Sequence, residues 1–291
     1  MDITPLGELL AMHSVSPIAR PGPEEDEVWE KFIAPSLPPL RTNVAKLCSF
    51  GFLEMMNNAI DHSGGWNADA TAYFNSEANL LTLMVVDNGV GLFEKVRSHY
   101  GLADLGQAVF ELSKGKVTTA PSEHSGTGVF FVSRLFDSFS ILANQWVLAR
   151  SPAGKWLADV RAEVTRGTTV VMKINLDSER QPSEVFDMYA PPSEDYEFTK
   201  TQLILKLAKQ ANVGFMSRSE ARRMAMRLEE FREVWVDFEG VEEIYPPFAD
   251  ELFRVFADKH PDTKLSAVNA NDRVLGLIKS VEARRGSPPD S

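Results

Sequence analysis

The pattern of hydrophobic and polar positions predicts a long helix after a proline-rich start. Prolines at positions 5, 17, 21 and 23 predict an irregular arm over residues 1 to about 23. Glu24 to Ile33 is expected to form a short helix. Apolar residues at helical spacing then predict a helix from Leu40 to His62, which ends at Ser63-Gly64-Gly65.

Two predicted strands follow this helix, at Ala68 to Phe74 and at Leu80 to Val86. The second strand is apolar on both faces and is therefore expected in the centre of a sheet. Helical spacing resumes at Leu102 to Leu112 and again at Val129 to Phe136.

Three further strands are predicted at Phe139 to Ala149, Lys155 to Glu163 and Thr168 to Ile174. Turn residues separate them at Pro152-Ala153-Gly154 and at Arg166-Gly167. The whole region, residues 40–176, therefore predicts an α/β domain, an α+β two-layer sandwich in which helices cover a largely antiparallel sheet.

The composition changes at residues 177–198, where prolines and acids predict a linker. Strands and helices then alternate over residues 199–285, which predicts a second, small α/β domain. Its strands are expected at Gln202 to Leu207, Val234 to Phe238 and Lys264 to Val268, and its helices at Ser217 to Phe231, Phe248 to Asp258 and Arg273 to Arg284. Residues 1–39 form the arm and short helix, and residues 286–291 are expected to be a disordered tail.

Charge and composition narrow the classes of partner. The chain of 291 residues has 44% hydrophobic and 24% charged residues and a net charge of −11, which predicts a globular protein without general affinity for nucleic acid. Neither a secretory leader nor a membrane span is apparent, so a cytoplasmic protein without membrane contact is expected. The single cysteine, Cys48, excludes an internal disulfide and is expected to be a buried thiol.

Acidic and amide side chains share one predicted face of the long helix. Glu54, Asn58 and Asp61 follow one another at spacings of four and three residues, and no lysine or arginine occurs between Leu47 and Glu94. An asparagine oxygen suits a hard cation such as Mg²⁺, and a neighbouring carboxylate can deprotonate an attacking hydroxyl. A solvated polar face is the alternative for this motif taken alone.

Two glycine-containing motifs follow. Asp87-Asn88-Gly89-Val90-Gly91 ends the predicted central strand, where an aspartate can accept a hydrogen bond from the exocyclic amine of adenine and glycines admit a ligand close to the backbone. Ser125-Gly126-Thr127-Gly128 precedes a predicted helix, so its backbone amides could bind phosphate. Either motif alone is also compatible with an ordinary turn.

The motifs in this order resemble the ATP-binding domain of the GHKL superfamily, which has the Bergerat fold and includes gyrase B, Hsp90, MutL-type proteins, histidine kinases and anti-sigma serine kinases. The resemblance covers roughly residues 40 to 175, and Arg166-Gly167-Thr168-Thr169-Val170 resembles a further motif whose threonine holds adenine. It implies ATP and Mg²⁺ as cofactors, with Glu54 as general base and Asn58 as metal ligand. It also implies nucleotide contacts from Asn58, Asp61, Asp87, Gly89, Gly91, Gly126, Thr127, Gly128 and Thr168. Lys114 and Lys116 are placed in the lid of such a site, where either could reach the γ-phosphate or simply be exposed.

Residues 199–285 resemble the STAS-like domain of uncharacterised function that occurs fused to GHKL domains in bacteria. Val236-Asp237-Phe238-Glu239-Gly240-Val241 and the segment from Phe248 to Phe256 carry this resemblance. STAS anti-sigma antagonists have a phosphorylatable serine where this chain has Tyr245-Pro246-Pro247-Phe248. Ser217 and Ser219 are the nearest alternatives, although Ser217 with Glu220 matches a helix capping box.

Three functions remain open from the sequence. The first is a signalling ATPase whose nucleotide state is coupled to the STAS-like domain or to a protein partner. The second is an anti-sigma-type serine/threonine kinase, in which Glu54 activates a hydroxyl of a partner. The third is an ATP sensor that binds ATP without hydrolysing it. The oligomeric state is also open, and a homodimer is one alternative.

Overall fold

The computed structural model describes residues 6–16, 25–118, 126–161, 166–191, 197–210 and 214–285. The chain divides into two compact units, Met1–Phe186 and Asp187–Ser291. Among the described residues, none of the helices has both the length and the apolar character needed to cross a bilayer.

A seven-stranded sheet forms the first unit, and each of its strand pairs is antiparallel. The spatial order is β1-β2-β3-β7-β4-β5-β6, with β1 Glu8–Val15, β2 Ala68–Asn75, β3 Leu80–Asp87, β4 Ser138–Ala143, β5 Trp146–Arg150, β6 Trp156–Val160 and β7 Thr168–Asn175. The expected largely antiparallel sheet is confirmed. Because β3 and β7 are neighbours, the end of β3 at Asp87 lies beside the start of β7 at Thr168.

Helices pack on this sheet: α2 contacts β3 and β7, α5 contacts β4, and α4 contacts β5. The helices of this unit are α1 Glu25–Val28, α2 Thr42–Asn57, α3 Leu92–Tyr100, α4 Leu105–Lys114 and α5 Gly128–Leu135. Helix α6, Pro182–Tyr189, spans the boundary between the two units. Shorter helical turns occur at Trp29–Ile33, Ala34–Ser36 and Asn58–His62. Gly51 permits close packing of α2, since a Cβ there would lie 2.3 Å from Cε2 of Phe136.

The second unit contains a three-stranded parallel sheet in the order β10-β9-β8, with β8 Lys200–Ile204, β9 Glu233–Asp237 and β10 Lys264–Val268. Its helices are α7 Leu205–Gln210, α8 Arg218–Ala225, α9 Pro246–Asp250, α10 Ala257–Lys259 and α11 Asp272–Glu282. A helical turn at Leu228–Glu230 follows α8, and Glu251–Phe256 joins α9 to α10.

Several predicted elements were wrong. The irregular arm contains β1, which pairs with β2, and helix α3 was missed. Phe139 to Ala149 is a hairpin of β4 and β5 instead of one strand, because the chain turns at Asn144 and Gln145 with φ of 49° and 70°. The strand predicted to end at Leu207 ends at Ile204, where α7 begins.

The predicted linker also contains helix α6, and Arg180 within the linker region pairs with Asp137 at 3.4 Å. The predicted tail, residues 286–291, lies outside the described residues.

Candidate functional site

A cavity of about 350 Å³ lies in the first unit, lined by the end of β3, the start of β7 and the last turns of α2. Its volume lies near the lower end of the range of roughly 300–1,000 Å³ that is usual for small-molecule sites. The cavity brings together the predicted residues Glu54, Asn58, Asp87, Gly91, Gly126, Thr127, Gly128 and Thr168. Asp61 and Gly89 are absent from its lining.

Helix α2 presents Glu54 and Asn58 to the cavity. Nδ2 of Asn58 donates to the carbonyl oxygen of Glu54 at 2.8 Å, which fixes the amide and turns its oxygen away from the helix backbone. Both side chains are half-buried. An amide oxygen held in this way beside a carboxylate suits a hard divalent cation.

The expected common face of Glu54, Asn58 and Asp61 does not extend to Asp61. The helix widens to a π-helical turn over Asn58–His62, and a wider turn moves the next residue on the same side to four or five positions further on. His62 therefore lines the cavity, whereas Asp61 is exposed to solvent. Regular α-helical spacing in the sequence does not predict this change.

Asp87 and Thr168 form a buried polar pair at one end of the cavity. Oδ1 of Asp87 accepts hydrogen bonds from the backbone N–H of Gly89 at 2.8 Å and of Thr168 at 3.2 Å. Burial raises the pKa of the Asp87 carboxyl, while these hydrogen bonds, the Thr168 hydroxyl and the charge of Lys95 oppose the rise. Asp87 is only 7% exposed, so it is a fixed acceptor in a poorly hydrated pocket.

The motif that follows Asp87 builds the cavity wall by close backbone packing. Oδ1 of Asn88 accepts from the N–H groups of Trp66 and Asn67 at 2.9 and 3.0 Å, which holds the segment after α2. A Cβ at Gly89 would lie 2.0 Å from the carbonyl oxygen of Ser63. Gly89 thus shapes the wall from behind, although it does not face the cavity.

Gly91 caps the start of helix α3 with φ of 87°, a conformation that residues with side chains rarely adopt. Asn144 fixes this point from the β4–β5 turn: its Nδ2 donates to the carbonyl of Val90 at 2.9 Å, and its Oδ1 accepts from the N–H of Glu94 at 3.0 Å. No role for Asn144 was predicted from the sequence, because only the folded hairpin brings it to α3.

The glycine-threonine-glycine segment closes another side of the cavity. Gly126 has φ of 68° and packs on the backbone of Val117, where a Cβ would lie 2.6 Å from the Val117 carbonyl carbon. Gly128 begins α5 directly against Glu54, since a Cβ there would lie 2.1 Å from Oε2 of Glu54. The start of α5 and the Glu54 carboxylate therefore meet in one place. Ser125, the first residue of this motif, lies outside the described residues.

The expected position of Lys114 was wrong. Lys114 is the last residue of α4 and is fully buried, and its Nζ contacts Oε1 of Glu111 at 2.6 Å. Neither Lys114 nor Lys116 lines the cavity. Lys95 on α3 does line it, and it was not predicted because it lies just beyond the segment without basic residues.

In the second unit, the polar residues noted in the sequence have local structural contacts. Asp237 accepts hydrogen bonds from Gln202 at 2.7 Å and from Asn269 and the Glu239 N–H at 2.9 Å, so it joins the ends of the three parallel strands. Ser217 and Glu220 form the expected capping box at the start of α8.

The helix that follows β9 begins at Pro246 after Tyr245, with Pro246 and Pro247 in its first positions. Proline has no N–H to offer, so this helix start is poorly suited to holding a phosphate group.

Among the described residues, no group of three or more His, Cys, Asp or Glu side chains is placed to bind a metal ion. Residues 220–275 match the STAS-like domain of unknown function (DUF4325). The chain therefore combines a large antiparallel α/β unit with a C-terminal STAS-like domain. No curated protein matches the chain.

Proposed function

We propose that the cavity of the first unit binds Mg-ATP and that the chain is a regulatory ATPase of the GHKL type. The observation that carries the proposal is the convergence of a buried acceptor, Asp87, and a carboxylate-amide pair, Glu54 and Asn58, on one cavity of about 350 Å³. The antiparallel sheet with its helical layer and the order of the motifs are compatible with the Bergerat fold.

Asp87 and Thr168 would bind the base. The carboxylate of Asp87 is fixed by two backbone N–H groups and can accept a hydrogen bond from the exocyclic amine of adenine. The hydroxyl oxygen of Thr168 accepts the N–H of Leu92 at 3.0 Å, so the base end of the cavity and the start of α3 are rigidly connected. A preorganised acceptor costs little reorganisation when the base enters.

Asn58 would hold Mg²⁺ through its amide oxygen, since its Nδ2 is already committed to the Glu54 carbonyl. One protein ligand is compatible with Mg²⁺, which usually keeps several waters and binds substrate phosphates. When bound, Mg²⁺ would neutralise phosphate charge and polarise the terminal phosphoryl group.

The chain's own residues would then hold the phosphates and remove a proton. Backbone N–H groups of Gly126 to Gly128 and the start of α5 favour negative charge at this end of the cavity. The Glu54 carboxylate takes a proton from a water molecule as the water oxygen bonds to the γ-phosphorus. The bond from the γ-phosphorus to the β–γ bridging oxygen breaks at the same time, and ADP leaves with that oxygen.

The STAS-like domain would couple the nucleotide state of the first unit to a protein partner. We expect the whole protein to be cytoplasmic and to bind neither membrane nor nucleic acid. The overall charge of −11 supports the last point, since binding to nucleic acid depends on clustered lysine and arginine.

The test follows the γ-phosphate of radiolabelled Mg-ATP in three proteins: the unmodified chain, Glu54→Gln and Glu77→Gln. Glu77 lies exposed in the β2–β3 turn and serves as the matched control. We expect free phosphate from the unmodified chain and from Glu77→Gln, and a rate about 100- to 10,000-fold lower from Glu54→Gln, as loss of a general base implies.

The other outcomes separate the alternative functions. Label on a protein of an added cell extract would favour a kinase, and nucleotide binding without turnover would favour a sensor. A release rate that is equal in Glu54→Gln and the unmodified chain would refute the role of Glu54. Absence of any binding of ATP would refute the proposal as a whole.

A further inference from the structure

Lys95 lies in the cavity and has no part in the mechanism above. It belongs to the first turn of α3, is half-buried, and donates a hydrogen bond from Nζ to the carbonyl oxygen of His62. Its charge also acts on Asp87. A lysine placed between the acceptor Asp87 and the end of the π-helical turn therefore faces the part of the cavity assigned to the base.

The position of Lys95 is fixed by the same contacts that form the base end. The N–H of Leu92 binds the hydroxyl oxygen of Thr168 at 3.0 Å, and the N–H of Glu94 binds Oδ1 of Asn144 at 3.0 Å. These bonds anchor the first turn of α3 to β7 and to the β4–β5 turn. The Lys95 side chain therefore starts from a rigid backbone, as a residue that reads a ligand must.

An ammonium group carries three donors. His62 accepts one of them through its carbonyl oxygen, and within the described ranges the ammonium group donates no second hydrogen bond. Burial lowers the pKa of the Lys95 ammonium, while the Asp87 carboxylate opposes this change. An acceptor on a bound ligand would give the ammonium group a further partner at this end of the cavity.

We infer that Lys95 is a specificity-determining residue that donates a hydrogen bond to a ring nitrogen of adenine, beside the exocyclic amine that donates to Asp87. The inference rests on the proposed binding of ATP. In adenine the exocyclic amine is flanked by two acceptor nitrogens, N1 and N7. A protein acceptor, Asp87, next to a protein donor, Lys95, therefore matches this edge of the base. Guanine presents the O6 acceptor in place of the amine, and that oxygen would face the Asp87 carboxylate.

The experiment measures equilibrium binding of ADP, 7-deaza-ADP, 1-deaza-ADP and GDP to the full chain. A deaza analogue replaces one ring nitrogen with C–H and so removes one acceptor. We expect one of the two analogues to bind about 10-fold more weakly than ADP, as the loss of a hydrogen bond to a charged group implies, and the affected analogue identifies N1 or N7. GDP is expected to bind more weakly still.

Variants then attribute the difference to Lys95. In Lys95→Met, ADP is expected to bind about 10-fold more weakly, and the affected analogue should bind as well as ADP. Lys95→Arg keeps a charged donor and should retain part of the discrimination. Arg97→Met is the control, because Arg97 lies on the same helix, pairs with Glu94 and does not line the cavity.

The failure of this inference differs from the failure of the proposed function. Equal affinity of the unmodified chain for ADP and both analogues would overturn the role of Lys95 while leaving ATP binding intact, and that comparison needs no variant. A uniform weakening of all ligands in Lys95→Met, with the analogue preference retained, would assign Lys95 a purely structural role. Absence of ADP binding to the unmodified chain would overturn both proposals.

Discussion

Replacement of Asp87 by asparagine should separate the binding of adenine from the stability of the fold. Asparagine keeps an oxygen that can accept the two backbone N–H groups of Gly89 and Thr168, which lie at 2.8 and 3.2 Å from Oδ1. It replaces the other carboxylate oxygen with an NH₂ group. The two backbone hydrogen bonds are therefore kept, while the ligand meets a donor in place of an acceptor.

The stability of the variant follows from the raised pKa of Asp87. Because the folded chain binds this proton more tightly than the unfolded chain, ionised Asp87 opposes folding at neutral pH, and that cost falls as the pH is lowered through the folded-state pKa. Asparagine has no charge and removes the cost, although it also loses the attraction to Lys95. We expect the free energy of unfolding at neutral pH to stay within about 1 kcal/mol of the unmodified chain or to rise.

Binding of adenine nucleotide should respond in the opposite way. A hydrogen bond to a charged group contributes about 1.5–3 kcal/mol, so its loss predicts a dissociation constant roughly 10- to 150-fold higher. In the unmodified chain, affinity should also fall as the pH is lowered toward the raised pKa of Asp87, and this dependence should disappear in the variant.

Calorimetric unfolding and equilibrium titration with ADP on the same preparations measure the two quantities. Unchanged affinity in a folded Asp87→Asn protein would refute the assignment of Asp87 to the base. Loss of affinity together with a large loss of stability would instead mean that the carboxylate is needed for the fold, which contradicts the reasoning from burial.

Three further predictions concern other buried or displaced groups. Glu111→Gln leaves the Lys114 charge in the interior and should lower the free energy of unfolding by about 3–5 kcal/mol in denaturant titrations. The double variant Glu111→Leu with Lys114→Met removes both charges and should recover most of this loss. A loss below about 1 kcal/mol in Glu111→Gln would contradict burial of the pair. Asp61→Asn should leave nucleotide affinity within a factor of about two, since Asp61 is exposed, and a tenfold loss in the binding titration would place it in the site after all. Burial raises the pKa of Cys48 to about 12, so a thiol reagent at pH 8 should label it only after unfolding; rapid labelling of the folded chain would contradict this.

The motifs were predictable from sequence because each depends on local features. A buried strand that ends in Asp87 and two glycines, and a helix with Glu54 and Asn58 four residues apart, are visible without a fold. The cavity contains all of the predicted residues except Asp61 and Gly89. Asp61 lies outside the cavity because of a π-helical turn, and Gly89 because its backbone packs on Ser63. Neither feature can be inferred from residue spacing.

The missed elements depend on contacts between distant parts of the chain. The β1 sequence Glu-Leu-Leu-Ala-Met-His-Ser-Val contains mostly residues that favour helices, and pairing with β2 makes it a strand. The turn between β4 and β5 uses Asn144 and Gln145, and glutamine is an unusual residue at positive φ. Lys95 and Asn144 approach the cavity only after α3 and the hairpin are in place.

The most direct test of the central claim is an equilibrium titration of the full chain with a non-hydrolysable ATP analogue, with and without Mg²⁺. The account predicts one saturable site per chain, tighter binding with Mg²⁺ than without it, and competition by ADP. Absence of saturable binding at millimolar analogue, or binding that survives unchanged in both Asp87→Asn and Asn58→Ala, would contradict the claim that this cavity is a nucleotide site.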